Sequence, residues 1–295
     1  MNWPNVTVLM AVRNSEKYLR KSIKSILQQQ YNNFVFMIID DASEDQSPKI
    51  IKSFRDERIM LITNKKAVGL TKNLNFGMKK SLSRYIIRMD ADDLAHKTRI
   101  KKQVEFMEKN PSIDVSGSWV KTFGVRKYEW KFPLSDNEIK MELLFSNPLA
   151  HPSIIIKSES FKKFDIQYDE YYLYAQDFEL WARSMKYLNF SNIGEFLLFY
   201  RLRKEHFNNL IQAPKRKLFE DIYRFQLSRL GLDVDREDIL TNHLRFVGKR
   251  HELFDFINIP LWSKRLYKAN LASLVYNPDE FKKYLIKKTI ARVFL

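Results

Sequence analysis

Four short apolar runs that alternate with helical spacings, two of them ending in paired carboxylates, restrict this chain more than any other feature of its sequence. Val6 to Ala11, Phe34 to Ile39, Ile59 to Thr63 and Tyr85 to Met89 are continuous in hydrophobicity, as parallel strands covered on both faces should be. Between them, Leu19, Ile23, Ile26 and Leu27 predict a helix capped by Asn14 or Ser15,. Ser47-Pro48 reads as the N-cap and first turn of a second,, and Leu70, Leu74, Met78 and Leu82 mark a third at four-residue intervals. This alternation is the pattern of an open parallel sheet in an α/β domain. Ligands of such sheets gather at the carboxyl ends of the strands, where Asp40-Asp41 and Asp90-Ala91-Asp92-Asp93 both stand.

Residues i and i+2 of an extended segment point the same way, so Asp90 and Asp92 converge just past the fourth strand. Aligned carboxylates repel unless a cation lies between them, and Mg²⁺ or Mn²⁺ with phosphate oxygens completing its shell suits two carboxylates. An acidic turn closing a strand is the plainer alternative. The second acidic cluster at the same sheet edge favours a nucleotide and a metal.

Further along, Ile100, Val104 and Met107 form a helix closed by Asn110-Pro111, and Val115 to Phe123 reads as a strand. Residues 125–150 are mixed, with Met141, Leu143, Leu144 and Phe145 on a helix. His151-Pro152-Ser153 opens a strand over Ile154 to Ile156, Asp177 to Tyr187 is helical with Phe178, Trp181 and Met185 inward, and Phe196 to Arg201 is the last clear strand. From about Ala213 the chain turns helical, basic and aromatic, with Pro214 and Pro260 as punctuation. The expected division is a catalytic domain over 1–212 and a helical appendage over 213–295.

The chain has 295 residues, 45% hydrophobic and 14% aromatic, which supports a packed core,. It has no cysteine, so disulfides and thiolate metal sites are excluded and a reducing, cytoplasmic setting is expected. No signal peptide and no run long enough to span a membrane are visible. The net charge of +16 calls for an acidic partner,. Nucleic acid is not expected, because zinc-finger spacing, RNP-like aromatics and basic heptads are all missing.

Seven segments occur in order: T-V-L-M-A-V-R-N, F-M-I-I-D-D-A-S-E-D, G-L-T-K-N-L-N-F-G-M, Y-I-I-R-M-D-A-D-D, H-P-S-I-I-I-K, A-Q-D-F-E-L-W-A-R and L-L-F-Y-R. Over roughly residues 5 to 205 this set resembles the family 2 glycosyltransferases of the bacterial surface-polysaccharide type, with a GT-A fold. The resemblance implies transfer of a sugar from a nucleoside diphosphate, with UDP expected, to a carbohydrate or lipid-linked acceptor with inversion. It places Ala11, Val12 and Arg13 beside the base and Asp40 and Asp41 on base and ribose, whose N–H and hydroxyl groups suit carboxylates. Lys72 faces the base or the phosphates. Asp92 binds Mn²⁺ or Mg²⁺, Asp90 with Ala91 meets the donor and shares the metal or ribose, and Asp93 assists or braces the turn. Asp177 is the general base, at a helix start that favours its ionised form. Gln176 and His151 border the acceptor, His151 alternatively shaping the strand entry, and His206 reaches toward the metal or diphosphate. The tyrosines from 168 to 174 stack on sugar rings or pack the loop.

Several positions depart from the family pattern. Arg13 replaces a usual Tyr, Gln176 an acid, Ala42 and Ser83 frequent glycines, and Lys97 a frequent proline. Arg13 and Gln176 leave open a non-catalytic nucleotide-sugar-binding protein with a decayed site. A phosphohydrolase built on Asp90 is disfavoured, because its motif belongs at the first strand. The lack of Q-x-x-R-W after Asp177 points to single additions rather than processive synthesis. Near the end, Ile286, Ile290, Val293 and Phe294 share one helical face, with Lys287, Lys288 and Arg292 away from it. That composition suits either a helix on the inner face of an anionic membrane or one packed on the catalytic domain.

Overall fold

The computed structural model describes residues 3–207, 209–248 and 254–294, with side chains for all of these except 206–215 and 294. Strand β1 (Val6–Val12), helix α1 (Glu16–Leu27), β2 (Phe34–Asp40), α2 (Ser47–Lys52), β3 (Ile59–Thr63), α3 (Leu70–Lys80) and β4 (Tyr85–Arg88) follow the expected alternation. They make a parallel half-sheet in the order β3-β2-β1-β4. Every residue of β2 is buried, because α1 and α2 cover one face while α3 covers the other. Val8, Met10, Phe36 and Ile38 belong to one core, and Leu9, Met37, Ile39 and Ile86 to the other, the alternation that the pleat requires. Gly77 lets α3 lie close on β1: a Cβ there would fall 2.3 Å from Leu9 Cδ1.

The second half comprises β5 (Leu94–Ala95), α4 (Arg99–Lys109), β6 (Val115–Gly124), β7 (Glu129–Trp130), α5 (Asp136–Glu142), a 3-10 turn (His151–Ser153), β8 (Ile155–Lys157), α6 (Ser158–Lys163), α7 (Gln176–Ser184) and β9 (Phe190–Leu202). The sheet continues β4-β8-β6-β9-β5, with β7 beside β6. β8 is antiparallel to β4 and β6, whereas the long β6–β9 ladder is parallel. By paired residues the sheet is mostly parallel, and it is flanked by helices.

The loops at the carboxyl edge are locked together. Ser15 makes no side-chain cap for α1; instead Asp45, from the loop before α2, accepts from the Glu16 amide at 2.9 Å, and Glu16 accepts from the Gln46 amide at 2.8 Å. The two helix starts thus satisfy each other's free amides. Both loops also turn through the left-handed region, at Asn14 (φ 46°) and Ala42 (φ 54°). Ala42, standing where glycine is frequent, holds a backbone that glycine adopts without strain.

Helices α8 (Asn209–Arg229), α9 (Glu237–Val247), α10 (Asp255–Ser273) and α11 (Pro278–Phe294) follow. Leu227, Ile239, Phe246, Trp262 and Phe281 join the core that holds Leu9 and Trp181, so these helices share one core with the sheet and α7. Pro214 and Pro260 lie inside α8 and α10 rather than between helices. Pro260 is exposed, so the carbonyl it leaves without an amide partner faces the solvent side.

His243 is fully buried, its Nε2 2.8 Å from the Leu144 carbonyl, and burial pushes its pKa down to about 4. A histidine whose folded pKa lies below its unfolded value of 6.5 contributes stability that is complete above 6.5 and is lost as pH falls toward 4,. His243 should therefore contribute about 2 kcal/mol less to stability against urea at pH 5 than at pH 7. That difference should shrink in a His243→Gln variant.

Candidate active site

The acidic ends of β2 and β4 meet at one edge, and the structure divides their carboxylates into different tasks. Asp41 is turned inward. Its Oδ1 accepts from Asn64 Nδ2 (2.8 Å) and the Val68 amide (2.9 Å), and its Oδ2 accepts from the Gly69 amide (2.9 Å). Burial would raise this carboxyl, but hydrogen bonds from Asn73, Val68, Asn64 and Gly69 hold it below the ordinary carboxylate value. Asp41 thereby shapes the loop before α3, where Gly69 has φ 92°. Asp40 is 1% exposed, and its Oδ1 has no hydrogen-bond partner. An oxygen buried without a donor is costly, and a ligand N–H or hydroxyl would satisfy it. Ala11 and Val12 end β1 alongside, with the Val12 carbonyl accepting from the Asp41 amide at 2.8 Å, while Arg13 is exposed. Lys72 is exposed and pairs with Glu170 at 3.2 Å.

Past β4, Asp90 Oδ2 is held by Arg88 Nη1 at 2.5 Å, and Asp92 Oδ2 lies 3.3 Å from Arg203 Nε. Both side chains keep access to solvent, at 28% and 19% exposure. Ala91, between them, is buried. Asp93 is 1% exposed; its Oδ1 accepts from the Arg201 amide at 2.7 Å, and its Oδ2 has no partner. Burial, then the charges of Asp90 and Asp92, raise its pKa well above the ordinary value. Asp93 braces the turn against β9. Arg201 completes that brace: its Nε donates to the Asp92 carbonyl at 2.9 Å, and its guanidinium lies 4.1 Å from the Tyr18 ring and 4.3 Å from that of Phe123.

Arg88 is the residue that the sequence reasoning missed. It is 4% exposed, and although burial alone would lower its pKa, the charge of Asp90 raises it. It contacts Asp90, and its positive charge is also felt by Tyr168, His151 and Asp177. The signal was available, since Arg88 stands two residues before Asp90 on the same strand face. Its carbonyl accepts from Arg99 Nη2 at 2.8 Å. Arg99 is itself fully buried, with a pKa pushed down to about 9 by burial. Gln103 accepts from Arg99 and donates to the Ser153 carbonyl, tying α4 to the His151 turn.

Asp177 stands in the first turn of α7, with Asn147 Nδ2 donating to its Oδ2 at 2.7 Å. Burial raises the Asp177 pKa, against Arg88, the α7 amides and Asn147, which pull it down. The helix start therefore does not prevail here. Gln176 is buried with Oε1 unpartnered. His151 is buried with Nε2 2.8 Å from the Tyr168 hydroxyl. Burial, helped by the charge of Arg88, lowers its pKa well below 6.5, so the ring is neutral. Tyr168 is pinned through its backbone by Asn75, at 2.9 Å and 2.8 Å. Of the neighbouring tyrosines, Tyr171 and Tyr174 are more than half exposed. Trp181 is core, set edge-on to Phe190. The side chain of His206 lies outside the described residues.

Among the described residues no group of three His, Asp or Glu side chains is placed to hold a metal ion. The hard oxygen pair Asp90 and Asp92 nevertheless fits Mg²⁺ or Mn²⁺, which usually take one or two carboxylates and leave the remaining positions to water and phosphate.

A GT-A scaffold accounts for this arrangement. In fold the chain is similar to Staphylococcus aureus TarS, residues 1–349, in complex with UDP-GlcNAc: TM-score 0.64, 18% identity, 98% of this chain and 89% of that one. It is also similar to a mannosyltransferase of Pyrobaculum calidifontis in complex with GDP-Man and Mn²⁺, with TM-score 0.54, 14% identity and 100% and 88% coverage. The sequence pattern of glycosyl transferase family 2 matches residues 7–169. An uncharacterized glycosyltransferase of Methanocaldococcus jannaschii is 36% identical over 74% of this chain and 78% of its own length. The O-antigen biosynthesis glycosyltransferase WbnJ of Escherichia coli is 30% identical over 68% and 80%. The chain belongs to glycosyl transferase family 2.

Proposed function

We propose that this glycosyltransferase moves one sugar at a time from a UDP-sugar to an acceptor hydroxyl with inversion, in the synthesis of a polysaccharide, capsule or O-antigen. The observation that carries this reading is the carboxyl edge of the sheet, where the solvent-accessible pair Asp90 and Asp92 follows β4 and Asp40, at the end of β2, keeps a buried oxygen without a partner. The nucleotide and sugar bound by TarS in its complex support a UDP donor, and the O-antigen role of WbnJ supports the pathway class.

In this assignment residues 1–212 carry the chemistry. Asp40, whose Oδ1 has no partner, takes a donor from the base or ribose, with Ala11, Val12 and Arg13 beside it, while Asp41 holds the loop that carries Lys72 toward the phosphates. Asp90 and Asp92 hold the divalent ion, which when bound supplies charge neutralisation for the departing diphosphate. Arg88 keeps Asp90 in place. Asp177, fixed through Asn147, accepts the proton of the attacking hydroxyl as the new glycosidic bond forms and the bond to the diphosphate breaks. Its raised pKa favours proton uptake. Gln176 offers its unpartnered oxygen to a sugar hydroxyl, His151 lines the acceptor side as a neutral ring, and Tyr171 and Tyr174 present rings to sugar C–H faces. Among the described residues no helix is long and apolar enough to cross a membrane. We place the enzyme in the cytoplasm, peripheral on the inner face of the membrane, with a carbohydrate or lipid-linked sugar as acceptor.

A panel of nucleotide-sugars incubated with the protein and Mn²⁺ tests the donor without knowledge of the acceptor. Slow release of UDP from one UDP-sugar is expected. Binding of UDP with no release from any donor would contradict the enzymatic reading and favour a non-catalytic binding protein.

A further inference from the structure

We infer that the outward face of the α10–α11 hairpin is the surface by which this protein docks on an anionic lipid bilayer. The sequence sets Lys287, Lys288 and Arg292 away from the apolar stripe of α11, but the structure separates them. Lys288 turns inward onto Glu142 at 2.5 Å, and Arg292 turns inward onto Asp255 at 3.4 Å. Phe281 and Leu285 are buried beside them. What remains outside on α11 is Ile286 and Ile290, 52% and 50% exposed, set among Lys282, Lys283 and Lys287.

Helix α10 presents the same mixture. Leu261 is 61% exposed and Leu271 is 48% exposed, flanked by Lys264 and Lys268. Between the two helices runs a shallow groove of about 300 Å³, lined by Pro260, Tyr267, Ile286 and Ile290 among others. Large aliphatic side chains left half in water on two adjacent helices are costly to a free protein.

Charge decides the partner. Helices α10 and α11 carry the carboxylates Asp255, Asp279 and Glu280. Asp255 is buried against Arg292, and Glu280 accepts from Asn137, so Asp279 is the carboxylate that shares the outer face with the five lysines. Aliphatics ringed by lysines are the composition of a surface that sinks its apolar atoms to the acyl boundary and keeps its ammonium groups among phosphates.

The face also adjoins the candidate active site. Lys287, Lys288 and Ala291 line one wall of a cleft of about 600 Å³, and another part of its lining is Asn147, which holds Asp177. A molecule that stays anchored in the bilayer would therefore meet this cleft, whose wall carries the residue that holds Asp177, from the docked side. This deepens the peripheral-membrane part of the function proposed above. Vesicle binding needs neither donor nor turnover, so its failure would leave the transfer chemistry standing.

Flotation of the full-length chain with vesicles of phosphatidylcholine, with and without phosphatidylglycerol, tests the surface. The protein should float with the anionic vesicles and remain behind with the neutral ones. The pairs Leu261→Ser with Ile290→Ser, and Lys264→Glu with Lys283→Glu, should each weaken binding at least about tenfold with an unchanged circular dichroism spectrum. Failure of the unmodified protein to float with anionic vesicles would overturn the inference. So would unchanged flotation of the charge-reversed pair, or a dimer in sedimentation that the serine pair dissociates, since the face would then cover a second copy.

Discussion

Asp177→Asn should leave binding of UDP with Mn²⁺ intact while lowering sugar transfer by about 10² to 10⁴-fold, the usual contribution of a positioned base. The substitution keeps the shape of the side chain and its place at the start of α7 but removes the acceptor for the proton. Folding should not suffer. Because the folded pKa of Asp177 lies above its ordinary value of 3.8, the carboxylate costs stability at neutral pH, a cost that appears as pH rises through the interval between 3.8 and the folded value. The variant should therefore melt no lower than the parent at pH 7. The same shift fixes the sign of the rate profile: kcat/KM should fall on acidification with an apparent pKa above 3.8, and this limb should vanish in the residual activity of Asp177→Asn. Normal transfer by the variant would remove Asp177 from the chemistry.

Asp92→Ala should act on the other half of the reaction. Asp92 keeps access to solvent and has Arg203 as its ion-pair partner. Its loss should weaken UDP binding in the presence of Mn²⁺ by at least the roughly 10- to 100-fold that removal of a metal's outer-shell partner costs. In EDTA the parent and the variant should bind UDP alike. Titration calorimetry under the two conditions separates a lost metal ligand from a general disturbance of the turn, which would weaken binding equally with and without the ion. Asp93→Asn, by contrast, touches the brace to the Arg201 amide and should be read in melting temperature rather than in metal dependence.

Arg88, which holds Asp90, shows where sequence reasoning ends. The strands β1 to β4 were legible because strands covered on both faces need unbroken apolar runs, and their carboxylates were legible because the runs stop there. Asn147 carried no such mark, and Tyr168 was legible only as one of a run of tyrosines; what makes them part of the site is contact with Asp177 and His151 across 30 and 17 residues of chain. The start of β9 was missed for a different reason. Gly194 and Glu195 interrupt its apolar pattern, so Phe196 looks like a beginning, yet the strand runs from Phe190 and the interruption falls where its ladder with β6 shifts register around Trp119. An irregularity of that kind reads as a strand end when only hydrophobicity is followed. The Ser15 cap failed because its role passed to Asp45, a residue from another loop.

Crystals grown with UDP and MnCl₂ test the central assignment most directly, by locating the manganese through its anomalous scattering. The expected result is a peak bound by Asp92, with Asp90 beside it and the nucleotide base against Asp40. Asp177 should remain free of metal. A manganese peak away from both Asp90 and Asp92, or a nucleotide seated elsewhere than the carboxyl edge of β1, β2 and β4, would contradict it.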